Sequence, residues 1–477
     1  MTDFIASTDI DYADVQGTIL RGYRVNLARH FILSITDAAA ARAFIGNLVD
    51  GAAGLPRVTT AARWTVKPEC FVNLSFTAPG LLALGITQAQ LNTFDSSFVA
   101  GATNATVATR VGDTGTSAPA HWIGGLDDGT RVHVVLNLWV HEDPAVLEKV
   151  TGQLRAGFAA GMTELSAHDA NALPDNRVHF NYRDNIAQPT VLGAPPRKHP
   201  APDDQPVVPT GEFLLGYPNA NPNGMYTVQP AELSTNSSYA AFRILQQDVA
   251  GFEQFLQAYA PRAGVDPETL AAKVCGRWRN GNPLELAPDA PGEPLPVHQL
   301  NDFNYVNTAD PSRDDTLGLV CPVGSHIRRN NPRNMQVVST ESVNHRIVRR
   351  AIPYGPPYDP GKPDDTPRGL IGYFINGSIK NQFEFLQGQW DLTPTFVVSA
   401  TGPGGTADGN AVFNISGEDV FLGVNDPSDS SFTLAALGQA GKNNTQITGW
   451  PRLITTVGGA YVFLPSITGL RYLAALG

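Results

Sequence analysis

Cysteine is scarce in this chain. The 477 residues hold three, Cys70, Cys275 and Cys321, far apart and without a CxxC pair. That excludes a disulfide framework and argues against a structural zinc site, so reduced and largely buried thiols are expected. Long apolar runs are also missing. None approaches the roughly 18 residues a membrane-spanning helix needs. The opening stretch MTDFIASTDIDYADVQG has no apolar core, so no secretory leader is expected, and the location expected is cytoplasmic or intracellular. Positive charge is in deficit, with 33 Lys+Arg against 44 Asp+Glu and a formal net charge of −11. An acidic surface field speaks against nucleic acid and anionic membranes as partners. What is present is ordinary for a globular protein: 42% hydrophobic and 16% charged residues, at a length that suits two or more packed domains.

Strand-like and helix-like segments alternate. Residues 30–36 (HFILSIT) read as a strand, and Asp37 then caps an Ala-rich helix. Residues 64–77 and 131–140 contain further strands, the second with Val132, Val134, Leu136 and Leu138 on one face. Asp143-Pro144 opens a helix with Val146, Val150, Leu154 and Phe158 at helical spacing. The second half repeats the scheme. A strand is expected over 239–246 and a helix from Asp248. Strands follow over 344–352 and 369–376, then a helix capped by Ser378 with Ile379, Phe383, Leu386 and Trp390 on one face. These units predict two α+β lobes with antiparallel sheets and peripheral helices. Pro- and Gly-rich loops lie at 191–211, 355–369 and 401–409. No internal repeat is visible.

The densest chemical constellation is CPVGSHIRRNNPR, 321–333, with one histidine and three arginines. A neutral imidazole is a common axial haem ligand, and nearby cations pair with haem propionates. Alone, such a loop is more often a solvated basic turn. The segment nevertheless resembles the CPxGAHIRRxNPR string of DyP-type (dye-decolorising) peroxidases, with Ser325 in place of Ala. Arg349-Arg350-Ala351-Ile352-Pro353-Tyr354-Gly355 is similar to that family's Arg-x-x-Ile-Pro-Tyr-Gly. QGTILRGY (16–23), GDTGTSAPAHW (112–122), GEFLLGYPN (211–219), GRWRNGNPL (276–284), NDFNY (301–305), QFEFLQGQW (382–390) and the closing GGAYVFLPSITGLRYLA extend the likeness over essentially the whole chain.

The resemblance implies two ferredoxin-like lobes, an N-terminal one over 1–210 carrying a distal Asp loop and a C-terminal haem-binding one over 211–477. It implies haem b as cofactor, hydrogen peroxide as oxidant and an aromatic donor, dye or phenolic, as reductant. His326 matches the iron ligand, Asp184 the distal acid–base and Arg349 the distal cation. Arg333, Leu370 and Ile186 fall where the family contacts its cofactor. Arg350, next to Arg349, must point to the opposite strand face. Glu384 is the candidate partner for the second ring nitrogen of His326. An aspartate base suits mildly acidic medium, so an acidic optimum is expected. Tyr354, Trp390 and Trp278 are candidate stepping stones for electrons toward the surface, although ordinary packing is the commoner role of such residues.

Two departures from the family pattern flank the distal site. Asn181 and Asn185 stand where Gly-x-x-Asp-Gly has glycines, and Asn is the residue that best tolerates the positive φ a glycine position needs. Gly372 replaces the Phe of Gly-Leu-x-Phe, which implies a roomier pocket unless Tyr373 or Phe374 fills it. These departures keep open a second reading, a haem-binding or haem-carrying protein with little turnover. A haem-free α+β interaction protein is the third. The oligomeric state is open, with a homo-oligomer one option.

Overall fold

The computed structural model describes residues 9–195, 205–307, 309–335, 340–393, 397–398, 412–413, 417–434 and 445–477. The loop over 401–409 and part of the 191–211 connector lie outside them.

Each half contributes four antiparallel strands of the same plan to one eight-stranded sheet. In the first half the strands are β1 (Leu27–Ile35), β2 (Cys70–Phe76), β3 (Val134–Val140) and β4 (Met162–Asn171), with spatial order 4-1-3-2. In the second half they are β5 (Ser238–Gln247), β6 (Val348–Tyr354), β7 (Gly369–Asn376) and β8 (Ile454–Leu464), in the order 8-5-7-6. Renumbered within its half, the second set is again 4-1-3-2. That order, with a helix after the first and third strands, is the split βαβ arrangement. The fold is therefore α+β with two ferredoxin-like lobes.

Local signals account for the helices. α1 (Ala38–Asp50) is capped by Asp37, whose carboxylate accepts from Ala40 N at 2.9 Å, and it ends on left-handed Gly51. α2 (Pro144–Phe158) starts on Asp143 with Pro at its first position. α3 (Val249–Ala263) and α4 (Pro267–Cys275) are capped by Asp248 and Asp266. Strand β7 spans the expected 369–376 and the 64–77 segment contains β2 as expected, whereas the strand expected over 344–352 is shifted to Val348–Tyr354.

The lobes join where Phe76 of β2 pairs with Phe463 of β8, and β4 approaches β6 at the other end, so the two halves of the sheet curl toward one another. A buried polar chain crosses between them. The Tyr373 hydroxyl meets Ser75 Oγ at 2.9 Å and accepts from Asn137 Nδ2 at 2.5 Å. Paired polar atoms at a core boundary fix one register, because an unpaired one costs about 1–3 kcal/mol. Tyr373 is fully buried on this inter-lobe face, so it does not fill the volume beside Gly372.

The segment after β7 departs from expectation. Ser378 does cap it, accepting from Asn381 N at 3.3 Å. Its winding, however, is largely π-helical, over Ile379–Phe383 and Leu386–Asp391. The wider turn rotates later side chains away from α-helical positions.

Candidate active site

His326 opens a short helix, α5 (His326–Asn330), at the end of the CPVGS loop. Buried anchors hold that loop. The Ser325 hydroxyl donates to Lys273 O at 2.5 Å, so the residue that departs from the family's Ala adds a tie to α4. Arg328 pairs with Asp315 at 2.9 Å and donates to the carbonyls of Cys321 and Asp315. Arg329 donates to the carbonyls of Trp390, Thr393 and Gly417. These two arginines, candidates for propionate pairing by sequence, are fully buried braces instead. Arg333 donates to Asn301 O at 3.0 Å and Phe303 O at 2.7 Å. It also borders an open cleft of about 300 Å³ with Gln188, Asn301 and Arg346.

The partner of His326 is Asp419, not Glu384. Asp419 Oδ2 lies 3.1 Å from Nδ1, while its Oδ1 accepts from Phe421 N at 2.9 Å and Leu422 N at 2.8 Å. Glu384 is carried elsewhere by the π-wound segment. It accepts from Ser97 Oγ at 2.9 Å and pairs with Arg110. A second acid that sequence reasoning missed, Asp391, accepts from Asn330 Nδ2 at 2.9 Å. One ligand atom from each of His326, Asp391 and Asp419 lies within 4.8 Å of the others. Nothing in local sequence links these acids to His326. They stand 65 and 93 positions downstream and meet it only through folding.

The two acids share one site unequally. Burial opposes ionisation of Asp419, but His326, Arg329 and backbone N–H groups outweigh it, and its carboxyl sits below the usual range. Burial, then the Asp419 charge, drives the Asp391 carboxyl well above it, so Asp391 keeps its proton. For His326, burial opposes protonation, while Asp419 and then Asp391 favour it, for a net rise. Arg349 pushes the other way, which places its guanidinium in the field of the imidazole.

With Nδ1–H donated to Asp419, the Nε2 lone pair is the available one. No hydrogen bond engages Nε2 among the described residues. The side chain keeps 24% of its surface accessible although its carboxylate partner has none. An imidazole oriented by a buried carboxylate, with its second nitrogen facing open space, is the donor set an axial haem ligand needs.

The opposite wall comes from β6, β7 and the 176–189 loop. Register pairs Arg349 with Phe374, Ala351 with Gly372 and Pro353 with Leu370, so these six share one face. Arg350 points the other way, donating to Thr18 O at 2.8 Å. Leu370 and Phe374 keep partial exposure while Ile371, Tyr373 and Ile375 are buried, as expected of a strand lining a cavity on one side. A Cβ on Gly372 would stand 2.1 Å from Arg350 O, so the backbone approach itself requires glycine.

Arg349 donates from Nη2 to Ala187 O at 2.8 Å, and Gln188 bonds both its backbone N and O. Burial lowers the Arg349 pKa, partly opposed by the Asp184 charge, so these two side chains feel one another. Asp184 is half-buried, its amide donates to Asn176 O at 2.7 Å, and its carboxylate makes no hydrogen bond among the described residues. Asn181 and Asn185 adopt φ of 65° and 60°, the glycine-like conformation expected of them. Asn181 is exposed, its Oδ1 held by Arg177 at 3.1 Å. Ile186 turns its side chain toward Gly281, and its carbonyl accepts from Asn301 Nδ2 at 2.6 Å. Trp278 and Trp390 are buried, each 4% exposed, so neither offers its ring at the surface.

Comparison with known proteins finds relatives along the whole chain. Residues 14–174 match the family model described as the DyP dimeric alpha+beta barrel domain. Over 98% of its length the chain is 29% identical to Peroxidase 2 of Mycetinis scorodonius, covering 88% of that relative. It is 28% identical, over 98% of its length and 96% of the relative's, to the multifunctional dye peroxidase DyP2 of an Amycolatopsis species. A solved dye-decolorizing peroxidase in complex with 2,6-dimethoxyphenol superposes with a TM-score of 0.78 at 27% identity, over 98% of this chain and 100% of that one.

Along essentially its whole length the chain is similar to DyP-type peroxidases, and residues 14–174 match that family's domain model. Its class is that of an oxidoreductase using peroxide, and the family implies a haem cofactor. For a DyP-type chain the Asp419–His326 pair fits that cofactor well. Among the described residues no helix is long and apolar enough to cross a membrane.

Proposed function

We propose that this chain holds haem b on His326 Nε2 and, as a peroxidase, reduces hydrogen peroxide while oxidising dyes and phenolic or aromatic donors. The supporting observation is the orientation of one ring: Nδ1–H fixed on Asp419, Nε2 without a hydrogen bond among the described residues, and the side chain 24% exposed. Bound haem supplies the iron at which peroxide is activated. The protein supplies the rest. Asp184, with no hydrogen bond on its carboxylate among the described residues, takes a proton from one peroxide oxygen and returns it to the other. Arg349, fixed on Ala187 O, places a permanent cation beside the developing charge. Leu370, Ile186 and Arg333 would contribute to holding the cofactor.

The division into lobes is set at 210/211, with the proton-handling loop in the first and the ligand histidine in the second. The phenol bound by the solved relative, 2,6-dimethoxyphenol, is the donor to try first. The carrier reading loses part of its motive, because Asn181 turns outward to Arg177 and Asn185 is exposed, while the departure at Gly372 stands.

The test is reconstitution with haem b. Wild type is expected to give a stoichiometric histidine-ligated ferric spectrum and fast oxidation of 2,6-dimethoxyphenol by peroxide. His326→Ala is expected to lose the Soret band or hold haem only weakly. A His326→Ala protein that binds haem as tightly, with the same spectrum, would remove His326 from the site.

A further inference from the structure

The loop that carries Asp184 has little regular structure of its own, yet a proton-transfer group must be held within a fraction of an ångström. Its anchor lies in the GRWRNGNPL segment. Arg279 donates from Nη1 to Phe180 O at 3.0 Å, and its own carbonyl accepts from Arg183 N at 3.0 Å. Its guanidinium carbon stands 5.7 Å from the Tyr182 ring centre and 5.6 Å from that of Phe252. Two carboxylates balance its charge: Glu253 of α3 lies 2.8 Å from the same Nη1 and Glu268 of α4 3.2 Å from Nε, while Nε and Nη2 make no hydrogen bond among the described residues. Only 11% of the Arg279 side chain is exposed. Tyr182 is pinned again where its hydroxyl donates to Ala271 O at 2.7 Å. Residues 180, 182 and 183, the last adjoining Asp184, are thus tied to one guanidinium and one backbone unit of the other half.

We propose that Arg279 is the positioning residue that fixes Asp184 over the site. This rests on the reading of Asp184 as the proton-handling group. A planar fork with a permanent charge suits the task, since it spans a carbonyl, two carboxylates and two ring faces at once. Lysine matches only part of that set. The clamp also reaches the opposite wall. Tyr182 packs at 5.9 Å from Phe421, and Phe421 lies 5.5 Å from the His326 ring.

The experiment combines hydrogen exchange with a double-mutant cycle on the full chain, with and without haem b. In Arg279→Met, amides over 177–186 are expected to exchange at least 10-fold faster, with peptides of β5 and β7 unchanged. The rate constant for reaction with hydrogen peroxide is expected to fall 10-fold or more, and Arg279→Lys to fall between. The decisive readout is coupling. Arg279→Met/Asp184→Asn should react no more slowly than Asp184→Asn alone, because a misplaced group and a missing one cost the same thing.

If the two losses multiply, or if exchange over 177–186 is unchanged, the assignment is wrong. Should Arg279→Met fail to fold, Glu253→Gln/Glu268→Gln loosens the clamp from its exposed side and is expected to raise exchange over the same residues several-fold. No rise there counts against the proposal equally. An Asp184→Asn protein as fast as wild type would instead remove the Asp184 reading, and the role of Arg279 with it, while the exchange data still report whether the clamp exists.

Discussion

At the scale of single residues the balance beneath His326 decides most. Asp419 is fully buried and accepts three N–H groups, counting the imidazole. Its negative charge makes the ligand nitrogen more electron-rich, which favours the ferric state. Asp419→Asn is therefore expected to keep haem and raise the ferric/ferrous midpoint potential. A charge-assisted bond replaced by a neutral one differs by roughly 1 kcal/mol, which for one electron is tens of millivolts. Asp391 complicates the single variant. Once Asp419 is neutral, the repulsion that helps keep Asp391 protonated is gone. The double variant Asp391→Asn/Asp419→Asn should then show the larger upward shift in spectroelectrochemical titration. A potential unchanged in both would mean that neither acid tunes the ligand. On the opposite wall, Asp184→Asn is expected to retain haem while its stopped-flow rate with peroxide drops by about 10²–10⁴, the usual contribution of one acid–base group.

At the scale of elements, what a sequence shows depends on how far apart the partners lie. His326 and Arg349 sit in compact motifs, and the alternation around Arg349 already separates it from Arg350. Caps at Asp37, Asp143, Asp248 and Ser378 are local and stood where the residues placed them. The partner of His326 was not legible, for a physical reason. An α-helix after Ser378 made Glu384 a plausible choice, but a π-wound stretch moves every later side chain, and Asp419 arrives from an irregular turn with no periodicity to read. Arg329 holds these pieces together by donating to carbonyls of Trp390, Thr393 and Gly417. Arg329→Met leaves three buried carbonyls without that donor. At about 1–3 kcal/mol for each unsatisfied group, a clear drop in thermal midpoint and faster haem loss to apomyoglobin are expected. A variant with wild-type midpoint and haem retention would show that the turn holds itself.

At the scale of the whole molecule, buried carboxyls set how stability responds to pH. Glu212 is the clearest case. It is fully buried, Oε1 accepts from Ala220 N at 2.9 Å, and Oε2 has no hydrogen-bond partner among the described residues. Burial, only partly offset by that N–H, pushes its carboxyl up to about 7. Burial also raises Glu285 and Asp391, each beside another acid. A carboxyl whose folded pKa lies above its unfolded one binds its proton more tightly in the native state. Its stabilising contribution is complete below the unfolded value near 4.5 and is lost as pH rises through the folded value. At about 1.4 kcal/mol per pH unit, Glu212 alone accounts for up to about 3 kcal/mol between mildly acidic and neutral medium. The thermal midpoint of the wild-type chain is therefore expected to fall from pH 5 to pH 8. Glu212→Gln keeps an acceptor for Ala220 N and never ionises, so its midpoint should fall less over the same interval and overtake wild type at the alkaline end. Parallel midpoint curves for the two proteins would show that Glu212 finds a compensating partner when charged.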